Sequence, residues 1–147
     1  NGSFVDISDS VIDILCRYKQ DTHNASEAGG ILLGIVTMEN NYIITKASLP
    51  NKFDKSTRRT FERDKDIAQI IINHEFSNSH GKTIYLGEWH THPEPIPTPS
   101  AQDIKMIKEQ FLNNRLNASN LFLVIIGTVS NYFAILDNDR LRALDSL

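Results

Sequence analysis

The chain has 147 residues, 40% hydrophobic and 22% charged, with a formal charge of -3; this describes one globular domain and excludes a disordered chain or a nucleic-acid binder driven by phosphate contacts. Its single cysteine, Cys16, excludes an internal disulfide and a thiolate metal centre. No stretch approaches the ~18 apolar residues of a membrane span and no secretory signal is visible, so a reduced, cytoplasmic protein is expected and the sequons at Asn24 and Asn117 carry no weight.

Asn1-Gly2-Ser3 reads as an expression remnant, leaving residues 4–147 as the single domain. Residues 8–21 read as a helix that Ser8 or Asp9 can cap, with Val11, Ile14, Leu15 and Tyr18 on one stripe and Cys16 as apolar filler. A polar run follows, in which His23 reads as an exposed loop residue. Glu27-Ala-Gly-Gly then opens Ile31-Leu-Leu-Gly-Ile-Val36, an apolar run too short for a helix and therefore a central strand. Its partner spans 42–49, joined through Glu39-Asn-Asn41 as a hairpin. Glu27 by itself is an ordinary strand-edge carboxylate.

Residues 50–63 read as a basic loop with two phenylalanines, either a solvated surface or a clamp for an acidic or extended peptide through Arg58, Arg59 and Arg63. Asp64 or Asp66 opens a second helix with Ile67, Ile70 and Ile71 toward the core, and His74 and His80 at the surface. Thr83–Trp89 is a buried strand. After the proline-rich stretch and a third helix, 120–127 and 132–136 form a second hairpin, and 141–147 add a strand or short helix.

The chemistry is concentrated in Glu88-Trp-His-Thr-His-Pro-Glu-Pro-Ile-Pro-Thr-Pro-Ser-Ala-Gln-Asp103. Residues i and i+2 of a strand share a face, so His90 and His92 present two imidazoles together, while Thr91 and Trp89 face away. Prolines at 93, 95, 97 and 99 impose a stiff extended crossing, and a helix starts at Ser100. Asp103, on its first turn, can swing back toward the histidines. Two neutral imidazoles and a carboxylate are three of the four ligands of a catalytic zinc, which makes this a metallohydrolase site in its chemistry. Ser100-x-x-Asp103 before an apolar run also reads as a capping box. The spacing does not choose between the two.

The joint pattern His-x-His-Pro, a turn-rich spacer, then Ser-x-x-Asp resembles the motif of the JAMM/JAB (MPN+) zinc metalloproteases, which cleave peptide and isopeptide bonds beside ubiquitin-like domains. The resemblance spans about residues 8–138. It implies Zn²⁺ held by His90, His92 and Asp103, Glu27 as the general base, and Ser100 as an oxyanion donor, with Glu88 and Thr91 as candidates for orienting the imidazoles. The order α-β-β-α-β-α-β-β agrees with its fold, an α/β sandwich whose mixed sheet lies between helices in a cytidine-deaminase-like layout. Tyr85-Leu-Gly-Glu-Trp-His-Thr-His-Pro93 and Arg58-Arg-x-Phe61-x-Arg63-Asp64 look most like bacterial JAB proteins of CBASS-type antiphage operons. A protein substrate with an extended C-terminal tail is implied, either a ubiquitin-like protein or a conjugated cGAS-like nucleotidyltransferase. The alternatives are trimming of a ubiquitin-like or sulfur-carrier precursor, and a catalytically silent scaffold of the same fold.

Overall fold

A computed structural model describes residues 4–113, 118–138 and 140–144. Residues 1–3, the sequon asparagine at 117 and the last three residues of the expected C-terminal element lie outside the described residues. The elements in order are β1 (Val5–Ile7), α1 (Asp9–Cys16), β2 (Gly29–Val36), β3 (Tyr42–Ala47), β4 (Lys55–Ser56), β5 (Phe61–Glu62), α2 (Lys65–Asn78), β6 (Ile84–Thr91), α3 (Ala101–Asn113), β7 (Asn120–Ile126), β8 (Asn131–Asp137) and β9 (Arg140–Ala143). Seven strands form one sheet in the order β1-β3-β2-β6-β7-β8-β9, and β4 and β5 form a separate small hairpin. The β1–β3 and β6–β7 pairs are parallel and the others antiparallel. The expected α/β class and the order of its main elements are therefore present.

β6 is buried along all eight residues, because helices cover the sheet on both sides. On one face, Val11 and Leu15 of α1 pack with Leu32, Ile44, Leu86, Trp89, Phe122 and Val124. On the other, Ala68 of α2 and Ile107 of α3 pack with Ile31, Leu33, Tyr85 and Leu121. Burying each of the larger of these side chains contributes ~1.5–3 kcal/mol. Val5 and Ile7 of β1 line one groove with Phe133 and Ala134 of β8, so the sheet curls around the α1 side.

Four readings of the sequence are corrected. The first helix ends at Cys16 and not at residue 21: Arg17 and Tyr18 donate to carbonyls three residues back, tightening the last turn, and the chain then turns Gln20 into the interior. On α2 the inner face is Ala68, Ile71 and Ile72, whereas Ile70 is 62% exposed. At 100° per residue Ile70 cannot share a face with both Ala68 and Ile71. The 50–63 segment is not a plain loop, since it carries the β4–β5 hairpin. The edge strand β1, three residues long, was not foreseen at all. Between the two capping candidates, Asp64 is the N-cap of α2, its carboxylate accepting from the Ile67 N–H at 2.9 Å.

Candidate metal centre and active site

The motif histidines reach their positions through a β-bulge. Along β2, Leu32 faces Gly87 but Leu33 faces Tyr85, so β6 holds one extra residue between them. Gly87 has φ +147°, and a Cβ there would meet the Phe122 carbonyl oxygen at 1.9 Å, so only glycine fits. The extra residue inverts the alternation of side chains. Ile84 and Leu86 precede it on the α1 face, and Trp89 follows on that same face. Tyr85 precedes it on the α2/α3 face, where its hydroxyl reaches Glu88 beyond the bulge. His90 and His92, in step with Glu88, therefore open toward α3.

Three donor groups converge there. His90 Nε2 and His92 Nε2 are 3.1 Å apart. Asp103 Oδ1 lies 3.2 Å from His90 Nε2, and Oδ2 lies 3.1 Å from His92 Nε2. Ligands at ~2.0–2.1 Å from a tetrahedral zinc sit about 3.3 Å from one another. Each of the three distances is within a few tenths of an ångström of that spacing, with Asp103 turning a different oxygen toward each ring. Glu27, 6% exposed, also has a carboxylate oxygen within 4.8 Å of the donor atoms of both imidazoles. The donor set of two imidazoles and two carboxylates suits a divalent metal ion.

Each group is held from behind. His92 Nδ1 is 2.9 Å from Glu94 Oε1, which places the ring proton on Nδ1 and leaves the Nε2 lone pair for the centre. Asp103 Oδ2 accepts the Ser100 N–H at 2.8 Å, and the Asp103 N–H donates to Ser100 Oγ at 3.1 Å. Capping box and converging donor are thus one arrangement. Because Ser100 Oγ accepts in that bond, its own hydrogen can be donated into the cleft it lines. Glu27 is clamped through its backbone: its N–H donates to Thr57 O at 2.8 Å, and its carbonyl accepts the Ser56 hydroxyl.

Burial, above all, pushes the Glu27 carboxyl up to about 7, with the Asp103 and Glu94 charges adding to it against the opposing effect of His92. Burial works to lower His92, but its bonds to Asp103 and Glu94 outweigh that and raise it to about 8. Burial works to raise Asp103, yet its bonds to His90 and His92 hold it below the usual carboxylate range.

The remaining expected partners have other tasks. Glu88 does not touch an imidazole: it accepts two bonds from Arg63, at 2.8 and 3.0 Å, and one from the Tyr85 hydroxyl. Thr91, fully buried, bonds Gln20 and the Ala28 N–H instead of a ring. Glu94, which did not stand out in the sequence, takes the orienting role on His92; its signal was its place two residues beyond that histidine. Of the basic loop, Arg63 is consumed by Glu88, and Arg58 donates to the His23 carbonyl at 2.6 Å. Arg59 alone of the three is exposed; it lines the cleft, as does the paired Arg63. That cleft, about 610 Å³, runs from the donor cluster between the β4–β5 hairpin and α3, past Phe61, Gln102 and Met106. Trp89 is core, its indole N–H donating to Ser48 O at 2.9 Å. His23, His74 and His80 are exposed, away from the cluster.

A "CD-NTase/cGAS isopeptidase" of Escherichia coli is 40% identical over 99 residues, covering 67% of this chain and 63% of that protein. One of Vibrio cholerae is 32% identical over 117 residues, covering 80% of this chain and 72% of that protein. The chain thus spans about two thirds of the length of these relatives. The solution structure of a protein from Desulfitobacterium hafniense superposes with a TM-score of 0.65 over 96% of this chain and 90% of that one, at 17% identity, a likeness of fold. The family described as prokaryotic homologs of the JAB domain matches residues 9–142. With nearly the whole described chain inside that match, this protein belongs to the prokaryotic JAB-domain family.

Proposed function

We propose that this chain is a zinc-dependent peptidase that hydrolyses the bond between the C-terminal tail of a protein and an amine, acting on conjugates of a cGAS-like nucleotidyltransferase in a bacterial antiphage system. The observation that carries the reading is the convergence of the His90 and His92 imidazoles with the Asp103 carboxylate, one of its oxygens beside each ring at the spacing of ligands around one ion, with a Glu27 carboxylate oxygen near both rings. The names carried by the Escherichia coli and Vibrio cholerae relatives supply the substrate class.

His90, His92 and Asp103 would hold the ion, and Glu94 keeps the His92 lone pair aimed at it. When bound, zinc supplies Lewis-acid polarisation of the scissile carbonyl and acidifies a water toward pKa ~7. Glu27, buried beside the two imidazoles, accepts the water's proton and returns it to the departing amine. Ser100 donates to the carbonyl oxygen as negative charge develops there. The carbonyl carbon gains hydroxide and the nitrogen gains a proton, which completes hydrolysis. An extended tail fits the cleft between Phe61 and Met106, with Arg59 meeting charge at the rim. Residues 4–147 act as one catalytic domain, and among the described residues no helix is long and apolar enough to cross a membrane. A cytoplasmic site of action belongs to this reading, because a conjugated nucleotidyltransferase would be met there.

The test incubates zinc-loaded protein with a conjugate, or a linear fusion, of such a nucleotidyltransferase through its C-terminus. Release of the intact nucleotidyltransferase, blocked by a chelator and restored by zinc, is expected. No cleavage by the loaded protein overturns the reading, and cleavage of a ubiquitin-like or sulfur-carrier precursor alone moves it to precursor trimming.

A further inference from the structure

Gln20 is 3% exposed although no charge or ligand requires it to be inside. Its amide is used in full. Nε2 donates to Ala25 O at 3.0 Å and to Arg58 O at 2.8 Å. Both acceptors are carbonyls, so the amide can point only one way. Oε1 then accepts the Thr91 hydroxyl at 2.9 Å, and Thr91 Oγ1 in turn accepts the Ala28 N–H at 2.9 Å. Thr91 sits between His90 and His92 on the strand, and Ala28 is the neighbour of Glu27. Arg58 adjoins Thr57, whose carbonyl takes the Glu27 N–H. The bonds therefore close a ring from Thr91 through Gln20 to the hairpin turn, from there to Glu27, and from Ala28 back to Thr91.

We infer that Gln20 and Thr91 are positioning residues, which set the Glu27 carboxylate at its working distance from the histidine pair. The inference rests on the reading of Glu27 as the general base. Three chain segments meet at Gln20, and none is covalently close to the others: Gln20 and Thr91 are 71 residues apart, and Gln20 and Arg58 are 38 apart. The strands do not reach Glu27: the last backbone bond between the two runs from the Thr91 N–H to Ala28 O at 2.9 Å, and Glu27 stands one residue beyond it, so the Thr91 hydroxyl adds a second hold on Ala28 at the end of the ladder. Outside the sheet its backbone is held by Thr57 and Ser56 on one side, and through Ala28 by Thr91 on the other. A base must lie within hydrogen-bond reach of the proton it takes, and small misplacements cost rate more than binding. Neither Gln20 nor Thr91 touches the donor atoms, so their loss should leave metal binding alone.

The test compares Thr91→Val, which keeps the shape and removes the hydroxyl, with Thr91→Ser, which keeps the hydroxyl. In Thr91→Val, kcat should fall about tenfold or more, while KM and zinc content stay within about twofold of wild type. Thr91→Ser should restore kcat. Amide hydrogen exchange on the metal-free proteins gives a second readout. The Glu27 N–H, whose own acceptor Thr57 is untouched, should exchange faster in Thr91→Val and in Gln20→Met. Should Thr91→Val not fold, Gln20→Met carries both readouts from the other end of the ring. With an active wild type, a folded variant that retains kcat overturns the inference. If wild type cleaves no conjugate, the functional reading has failed, and exchange decides the positioning by itself: an unchanged Glu27 rate overturns it, a faster one supports it.

Discussion

The Asp103 carboxylate accepts the Ser100 N–H at 2.8 Å through the same oxygen that stands 3.1 Å from His92 Nε2. A helix cap and a proposed metal donor are thus one group, and the start of α3 is coupled to the strand that carries the histidines.

Substitutions at the two ends of that cap should separate the functions. Asp103→Ala should lose the zinc and also destabilise the metal-free protein by ~1 kcal/mol through the missing cap. Ser100→Ala should keep one zinc per chain while kcat falls about 100-fold, the scale of one missing oxyanion donor. Metal analysis beside denaturant titration checks both. Full zinc occupancy in a His90→Ala, His92→Ala double variant would refute the donor set.

Glu27→Gln should leave zinc content and the melting temperature of the loaded protein near wild type and lower kcat by at least about 100-fold. The amide keeps the shape of the side chain but cannot take a proton. Turnover near the wild-type rate would place the base elsewhere.

Arg63 and Glu88 form a bidentate pair in which each side chain is mostly enclosed. Burial disfavours the Arg63 charge, but the Glu88 carboxylate outweighs it and holds Arg63 firmly protonated. Glu88→Ala should therefore cost about 3–5 kcal/mol by leaving an enclosed guanidinium without its partner. The double change Arg63→Met, Glu88→Leu should recover most of that loss. Arg59→Glu should instead leave stability unchanged and weaken substrate capture, with the effect shrinking at high salt. Denaturant midpoints and KM at two ionic strengths distinguish the two arginines.

Stripped of metal, the protein should show a stability maximum at mildly acidic pH. Glu27 is raised from 4.5 to about 7, chiefly by burial, and His92 from 6.5 to about 8, where its carboxylate partners overcome burial. A raised folded pKa gives stability that is complete below the unfolded value and is lost as pH rises through the folded one. These losses fall between about pH 4.5 and 8. Asp103 is lowered, so its contribution is present above its ordinary value of 3.8 and is lost on acidification. Melting curves of the metal-free protein should thus be several degrees higher near pH 5 than near pH 8. Glu27→Gln should flatten the lower part of that slope.

Much of this arrangement can be read from residues in sequence. Ile31–Val36, Ile84–Trp89 and Leu121–Ile126 are apolar runs of strand length, and all three lie inside strands at the centre of the sheet. The spacing of His90, His92 and Asp103 put three donors within reach, and the fold brings them together with Glu27. What escaped depends on partners remote in sequence. Gln20 looks like the polar end of a helix until Thr91 and Arg58 arrive beside it. Arg63 looks like a free basic residue until Glu88 is placed under it. Ile70 looks like core until the sheet selects which side of α2 it will cover. Glu88 and Thr91 were expected to serve the imidazoles, but Thr91 faces the other side of β6, where Gln20 takes its hydroxyl, and Glu88, on the histidines' own face, is taken by Arg63 and Tyr85.

The extra residue at Leu86–Gly87 is a phase slip in the pleat of β6. Pairing β6 regularly through that point, with every residue kept, would carry His90 and His92 to the side of the sheet now occupied by Trp89 and Thr91, beneath α1 and out of reach of Asp103. Motif, composition and strand order would all survive such a straightening, yet the donors would no longer meet. Two chains that share every motif residue can therefore differ in whether they possess a centre at all, and what separates them is one residue set outside the ladder.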